Sequence, residues 1–207
     1  MRKLIVCNIM SLDGYVEGPG GNVMALPMDG FFDEHNLDRL RAADTLLLGA
    51  TTYTGLKGYW PAVAANPEVS PAVAANPDVA DIHRETGQRN NEIQKVVVSD
   101  SLTADDTAPW TETTTIVRRA DARQAVAELK DQPGKDILMF GSRTLWDDLL
   151  VAGLVDELHL MVGAAVLGGG TPAFGAGPIP PLRLVDTRRR GGSDNLLLRY
   201  EVVSRDQ

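Results

Sequence analysis

Residues 136–174, DILMFGSRTLWDDLLVAGLVDELHLMVGAAVLGGGTPAF, read without a break as strand, glycine turn, helix, strand and glycine turn. The apolar run Ile137, Leu138, Met139 and Phe140 is too short for a helix and is cut off by Gly141, so it brings the chain as a buried strand to the edge of a sheet. A helix is expected to begin at about Ser142 to Thr144. Thr144 and Asp147 stand at capping-box spacing, and Leu145, Trp146, Leu149 and Leu150 make one apolar face. Such a helix points its first N–H groups back toward the strand end, and a glycine there lets an anion approach the backbone. Nucleotide phosphates are held this way. The same pattern also describes an ordinary crossover whose turn needs a glycine for conformation alone.

The order of strand into small polar turn recurs three times. Residues 3–10 are apolar and lead into Ser11-Leu12-Asp13-Gly14-Tyr15; Leu46-Leu47-Leu48 leads into Gly49-Ala50-Thr51-Thr52-Tyr53; Val96-Val97-Val98 leads into Ser99-Asp100-Ser101. Helical patterns at 31–42 and 122–130, with a further strand at 114–117, favour a mostly parallel sheet flanked by helices. Residues 182–188 and 196–203 read as two more strands joined by the turn Gly191-Gly192. Residues 17–22, rich in glycine and proline, are expected as a flexible loop, either closing over a substrate or simply exposed.

At 207 residues and 43% hydrophobic content the chain can bury one sizeable core, and no linker divides it, so one domain is expected. A net charge of −8 opposes nucleic acid or an anionic membrane as partner, and neither is expected. The single cysteine, Cys7, lies within the first strand, which argues against a disulfide framework and suits a reducing cytoplasm. The N-terminal apolar run is broken by Asn8 and then Asp13, so it reads as neither signal peptide nor membrane helix. His35, His83 and His159 show no metal-ligand spacing, and no metal is expected.

One segment stands outside the alternating pattern. PAVAANPEVS at 61–70 is followed at once by PAVAANPDVA at 71–80, a tandem duplication. Repeated Asn-Pro steps oppose a continuous helix, so residues 61–80 are expected as an inserted surface loop, with a lid over the site as the sharper alternative.

Taken together, SLDGY, LLLGATTY and FGSRTLWDDLL…LVDELHL…VLGGGTPAF resemble the dihydrofolate reductase superfamily. They are most similar to the reductase domain at the C-terminus of the bifunctional deaminase-reductase of riboflavin biosynthesis. The deaminase part, with its zinc signature, has no counterpart here, so a stand-alone reductase is expected. The resemblance implies an α/β fold, a dihydrofolate reductase-like three-layer α/β/α arrangement with a mixed, mostly parallel central sheet and antiparallel C-terminal strands. It also implies a homodimer using the C-terminal strands and residues 162–166. The implied reaction is hydride transfer from NADPH to a small-molecule substrate, a pyrimidine or pteridine of the 5-amino-6-(5-phosphoribosylamino)uracil kind.

By the same resemblance Gly49, Thr51, Thr52, Gly141, Ser142, Arg143, Thr144, Leu145 and Gly169 contact the cofactor, with Ser99 and Ser101 toward the adenosine 2′-phosphate. Asp13 stands beside the nicotinamide pocket, and Asp29 and Asp33 lie where dihydrofolate reductases place the carboxylate that holds the pterin ring. The residues also carry plainer readings: Thr51 as a helix cap, Asp13 as a turn residue before Gly14, and Asp29 and Asp33 as first-turn acids favoured by the helix dipole. Three positions depart from the relatives. Ala50 replaces a frequent basic residue, Asp100 sits between the two serines, and Tyr15 stands where the riboflavin reductases carry a basic side chain. Ala50 and the inserted repeat keep open a dinucleotide-binding or regulatory module without turnover, a pteridine reductase is a further alternative, and an assembly scaffold would need a large apolar patch.

Overall fold

The computed structural model describes residues 1–203. In chain order its elements are β1 (Leu4–Ser11), β2 (Tyr15–Glu17), α1 (Gly30–Ala42), β3 (Ala43–Gly49), α2 (Ala50–Ala65), α3 (Pro71–Ala75), α4 (Ala80–Glu92), β4 (Gln94–Val98), β5 (Thr114–Val117), α5 (Ala122–Asp131), β6 (Asp136–Phe140), α6 (Arg143–Val151), β7 (Glu157–Gly163), β8 (Thr171–Pro172), β9 (Leu182–Arg188) and β10 (Leu196–Val202). Eight strands form one sheet in the order β5-β4-β3-β6-β1-β7-β10-β9. The six strands from β5 to β7 are parallel, and β10 pairs antiparallel with both β7 and β9. β2 and β8 make a separate two-stranded ribbon.

The parallel strands are apolar on both faces because both faces are covered. Leu4, Val6, Leu47, Ile137, Met139, Leu158 and Leu160 meet Val126 of α5 and Trp146, Leu149 and Leu150 of α6. On the opposite face Ile5, Cys7, Leu46, Leu48 and Leu138 meet Leu40 of α1 and Tyr53 of α2. The result is the expected three-layer α/β/α fold, with α4 packed outside α1 and α2. Among the described residues no helix is long and apolar enough to cross a membrane.

Residues 61–80, expected as a loop, are helical instead. The first PAVAA forms the end of α2 with Pro61 inside the helix, and the second forms α3. Each Asn-Pro step does break the helix, as the sequence indicates, but into a 3-10 turn whose Asn side chain caps it: Asn66 accepts from the Glu68 N–H and Asn76 from the Asp78 N–H. Val63, Val73 and Val79 are buried, so tertiary packing holds these short pieces. Residues 17–22 are also tied down, through the β2–β8 ribbon and a bridge between Gly18 and Asn22.

Polar groups also enter the core. Lys95 on β4 is almost fully buried, donating to the Ile93 carbonyl at 2.7 Å and Thr113 Oγ1 at 3.0 Å and lying over the Trp110 ring. Its burial lowers the ammonium pKa to about 8. On the α1 side, His35, His159 and Cys7 cluster under the sheet. Burial and the neighbouring His159 pull His35 down to about 3, and burial raises the Cys7 thiol.

Candidate active site

The connections decide where a ligand fits. From β3 the chain passes through α2 to β4 on one side, and from β6 through α6 to β7 on the other, so the crossovers diverge between the adjacent strands β3 and β6. In an open parallel sheet such a point leaves a crevice at the C-terminal strand ends. Here those ends are Gly49 and Phe140, and the N-termini of α2 and α6 open onto the crevice from both sides.

The turns are built to expose backbone. Gly141 and Ser142 are both left-handed, with φ of 51° and 53°, and Ser142 is the only non-glycine with positive φ among the described residues. Such a serine costs about 1–2 kcal/mol, and two hydrogen bonds offset it. Gly49 N–H donates to Ser142 Oγ at 2.9 Å, and Ser142 N–H donates to Thr52 Oγ1 at 2.9 Å. The two turns are therefore stitched to each other, while neither N-cap, Gly49 nor Ser142, makes a side-chain cap. A Cβ on Gly141 would lie 2.9 Å from Thr52 Oγ1, so glycine is required by both conformation and space. Two uncapped helix N-termini converging on one crevice suit the diphosphate of a dinucleotide.

The expected cap of α6 is corrected here. Thr144 lies inside the helix, not at its N-cap, and Asp147 accepts the Gly175 N–H at 3.0 Å. Leu145 is likewise not exposed to a ligand: its N–H bonds to the Ser142 carbonyl at 2.9 Å and its side chain packs into the core. Arg143, at the first helical position, donates through Nε to the Pro172 carbonyl at 3.0 Å, and Thr51 is exposed on the first turn of α2.

On the next strand, Ser99 is buried and its Oγ accepts from the N–H groups of Ser101 and Leu102, shaping the turn after β4; Ser101 is exposed. Asp100 is engaged from the β5 side. Its side chain accepts the Arg119 N–H at 2.9 Å, and Arg118 donates to its carbonyl at 2.5 Å.

Asp13 is exposed and accepts the N–H groups of Leu167 at 3.0 Å and Gly168 at 2.7 Å, which clamps the turn after β1 to the glycine turn containing Gly169. Hydrogen bonds from the Ser11 hydroxyl and from these two amides lower its pKa to about 2. It is ionised at neutral pH and serves as an acceptor rather than a proton donor. Beside it, Gly170 passes so close to Glu17 and Gly18 that a Cβ would overlap the Glu17 carbonyl.

Asp29 and Asp33 are not brought to the strand ends as free carboxylates. Asp29 is the N-cap of α1, accepting from Phe31 and Phe32 N–H, and its other oxygen accepts the Ser193 hydroxyl. Asp33 faces α4, 3.1 Å from His83 Nε2; His83 Nδ1 is 3.0 Å from Ser70 Oγ, to which the Tyr59 hydroxyl donates. Sequence reasoning missed Asn8, whose side chain donates to the Gly141 carbonyl at 3.4 Å and ties β1 to the turn after β6. An asparagine interrupting an apolar strand was its signal.

A profile of the RibD C-terminal domain matches residues 2–196, nearly the whole chain. The chain belongs to the RibD C-terminal domain family. The uncharacterized protein YyaP of Bacillus subtilis (strain 168) is 30% identical over 176 residues, covering 84% of this chain and 80% of that protein. A pyrimidine reductase-like protein from Corynebacterium diphtheriae superposes with a TM-score of 0.63 at 15% identity, over 98% of this chain and 92% of the other. Dihydrofolate reductase from Enterococcus faecalis, complexed with NADP(H), superposes with a TM-score of 0.53 at 11% identity, over 98% and 97%. This chain thus shares its layered sheet with that dihydrofolate reductase.

Proposed function

We propose that this RibD-family chain is an NADPH-dependent reductase, similar to the 5-amino-6-(5-phosphoribosylamino)uracil reductases, acting on a pyrimidine- or pteridine-like small molecule. The carrying observation is the pair of uncapped helix N-termini stitched together at the β3–β6 switch point. When bound, the nicotinamide supplies the hydride. The chain's own residues position and shield. The first-turn amides of Ala50, Thr51, Arg143 and Thr144 and the half-buried Arg143 guanidinium hold the diphosphate. Ser101, with Arg118 and Arg119 beside the turn, meets the adenosine end, where Arg119 also answers the Asp100 carboxylate. At the other end Asp13 fixes the turn of residues 167–169 against the substrate pocket and, ionised, accepts a hydrogen bond from the heterocycle or from the water that protonates it.

NADPH oxidation in the presence of phosphoribosylated aminopyrimidines and of pteridines, with NADH in parallel, tests this reading. Turnover with NADPH is expected, and saturable NADPH binding without turnover on either class would make the chain a dinucleotide-binding module instead. We further propose a two-fold homodimer, supported by the exposed apolar residues Val166, Leu184 and Val185; a monomeric mass in light scattering would contradict it.

A further inference from the structure

Under the α1 face of the sheet, Cys7 of β1, His35 of α1 and His159 of β7 each offer one ligand atom, all within 4.8 Å of one another. None is more than a tenth exposed. We propose that these three residues bind a borderline-soft divalent metal ion, Zn²⁺ in the first instance, as a structural cross-link independent of the nucleotide crevice. A thiolate with two imidazoles is the donor set that selects such ions over Mg²⁺ or Ca²⁺.

The geometry is close to a metal site already. His159 Nδ1 and His35 Nε2 are 3.2 Å apart. Two nitrogens bound to tetrahedral zinc at about 2.0–2.1 Å stand about 3.3 Å apart, so only the thiol needs to close in. His159 also has the outer partner that ligating histidines carry: its Nε2 is 2.9 Å from Glu157 Oε2. Two groups face that Nε2, Arg199 Nε at 3.3 Å and the Glu157 carboxylate at 2.9 Å; the shorter contact is to a group that only accepts, so Nε2 bears the proton and Nδ1 turns its lone pair toward His35. Glu157, itself bonded to Lys3 at 2.6 Å and to Arg199 at 3.3 Å, keeps that tautomer in place. Arg199, and Arg39 on α1, bring positive charge nearby, which the thiolate and Glu157 offset.

Binding is balanced as follows. The Cys7 S–H proton leaves to solvent as the metal–sulfur bond forms, and His35, which donates Nε2–H to His159 in the metal-free protein, moves that proton to Nδ1 as Nε2 takes the metal. One proton is released per ion, and nothing is oxidised or reduced. The three ligands come from residues 7, 35 and 159, so no sequence spacing announces them.

Cobalt(II) titration of the chelator-treated full chain tests the proposal. The expected result is a saturable, one-per-chain spectrum with a thiolate-to-cobalt charge-transfer band, abolished by competing Zn²⁺ and absent in Cys7→Ser. His35→Gln is expected to weaken Zn²⁺ binding by at least about tenfold. Circular dichroism checks that the variants fold. Should either fail to fold, anomalous diffraction at the zinc edge from wild-type crystals grown with Zn²⁺ decides, with a peak expected between Sγ and the two nitrogens. A missing charge-transfer band in wild type, the same band in folded Cys7→Ser, or an anomalous peak only elsewhere would overturn the site.

Discussion

Gly141→Ala most sharply probes the turn proposed to hold the diphosphate. At φ 51° an alanine takes the left-handed conformation, costing about 1–2 kcal/mol, of which stiffening the unfolded chain returns about 0.4–1 kcal/mol. The new Cβ would sit 2.9 Å from Thr52 Oγ1 and 3.2 Å from Thr52 Cγ2. Thr52 must move, and its acceptor role toward Ser142 N–H goes with it, adding about 1 kcal/mol for the hydrogen bond and about 1 kcal/mol or more for overpacking. The sum is about 2–4 kcal/mol. Gly153→Ala supplies the reference, because Gly153 has φ 71° and nothing within 4 Å of its would-be Cβ, so it carries the conformational part alone. Urea midpoints of both variants give the difference, expected at about 2 kcal/mol. Calorimetry with NADPH is expected to show at least about tenfold weaker binding for Gly141→Ala and no change for Gly153→Ala. Equal destabilisation in the two variants, or intact NADPH affinity in Gly141→Ala, would refute the stitched-turn reasoning.

Asp13→Asn leaves one of the two amides of Leu167 and Gly168 without its carboxylate acceptor, so turnover is expected to fall about 10²-fold with NADPH affinity retained; full turnover in a folded variant would remove Asp13 from the account. The Asp13 carboxyl resonance should titrate near pH 2, and any stability it lends is present above the ordinary aspartate value and lost as pH falls toward that midpoint. For Lys95 the sign is opposite. Its folded pKa of about 8 lies below the unfolded value near 10.4, so between them the unfolded chain holds more protons and stability rises with pH. Urea midpoints measured from about pH 8 to about pH 9.5 should climb in wild type and stay flat in Lys95→Met. In the duplicated segment, Val73→Ala and Val79→Ala are each expected to cost about 1–2 kcal/mol; neutral effects on thermal unfolding would return residues 61–80 to the status of an inert loop.

Local chemistry was legible, and distant partnership was not. β5 matches its expected residues, and β6, α5 and α6 fall within one or two residues of expectation, because their apolar periods and flanking glycines are short-range signals. The duplication misled for a physical reason: Asn-Pro does stop a helix, but alanine-rich pieces between the stops stay helical when Val63, Val73 and Val79 find a surface to bury against. The α6 cap was misplaced because Ser142 takes a left-handed conformation that a serine rarely adopts, stabilised by Gly49 and Thr52 about ninety residues earlier. Gly141 could be read because its φ of 51° is a local demand of the backbone, whereas the roles of the Ser142 and Thr52 hydroxyls depend on partners about ninety residues away. Asp29 and Asp33 were legible as acids at the start of α1, but their partners Ser193 and His83 were not, since these meet them only in the folded chain.

The central claim is that the crevice between β3 and β6 holds the diphosphate of NADPH. Backbone amide shifts of ¹⁵N-labelled protein during NADPH titration test it most directly. Saturable shifts are expected to be largest at Ala50, Thr51, Arg143 and Thr144, the first-turn amides of α2 and α6. Saturable binding with those four amides unmoved, or no saturable shift at all, would contradict the account.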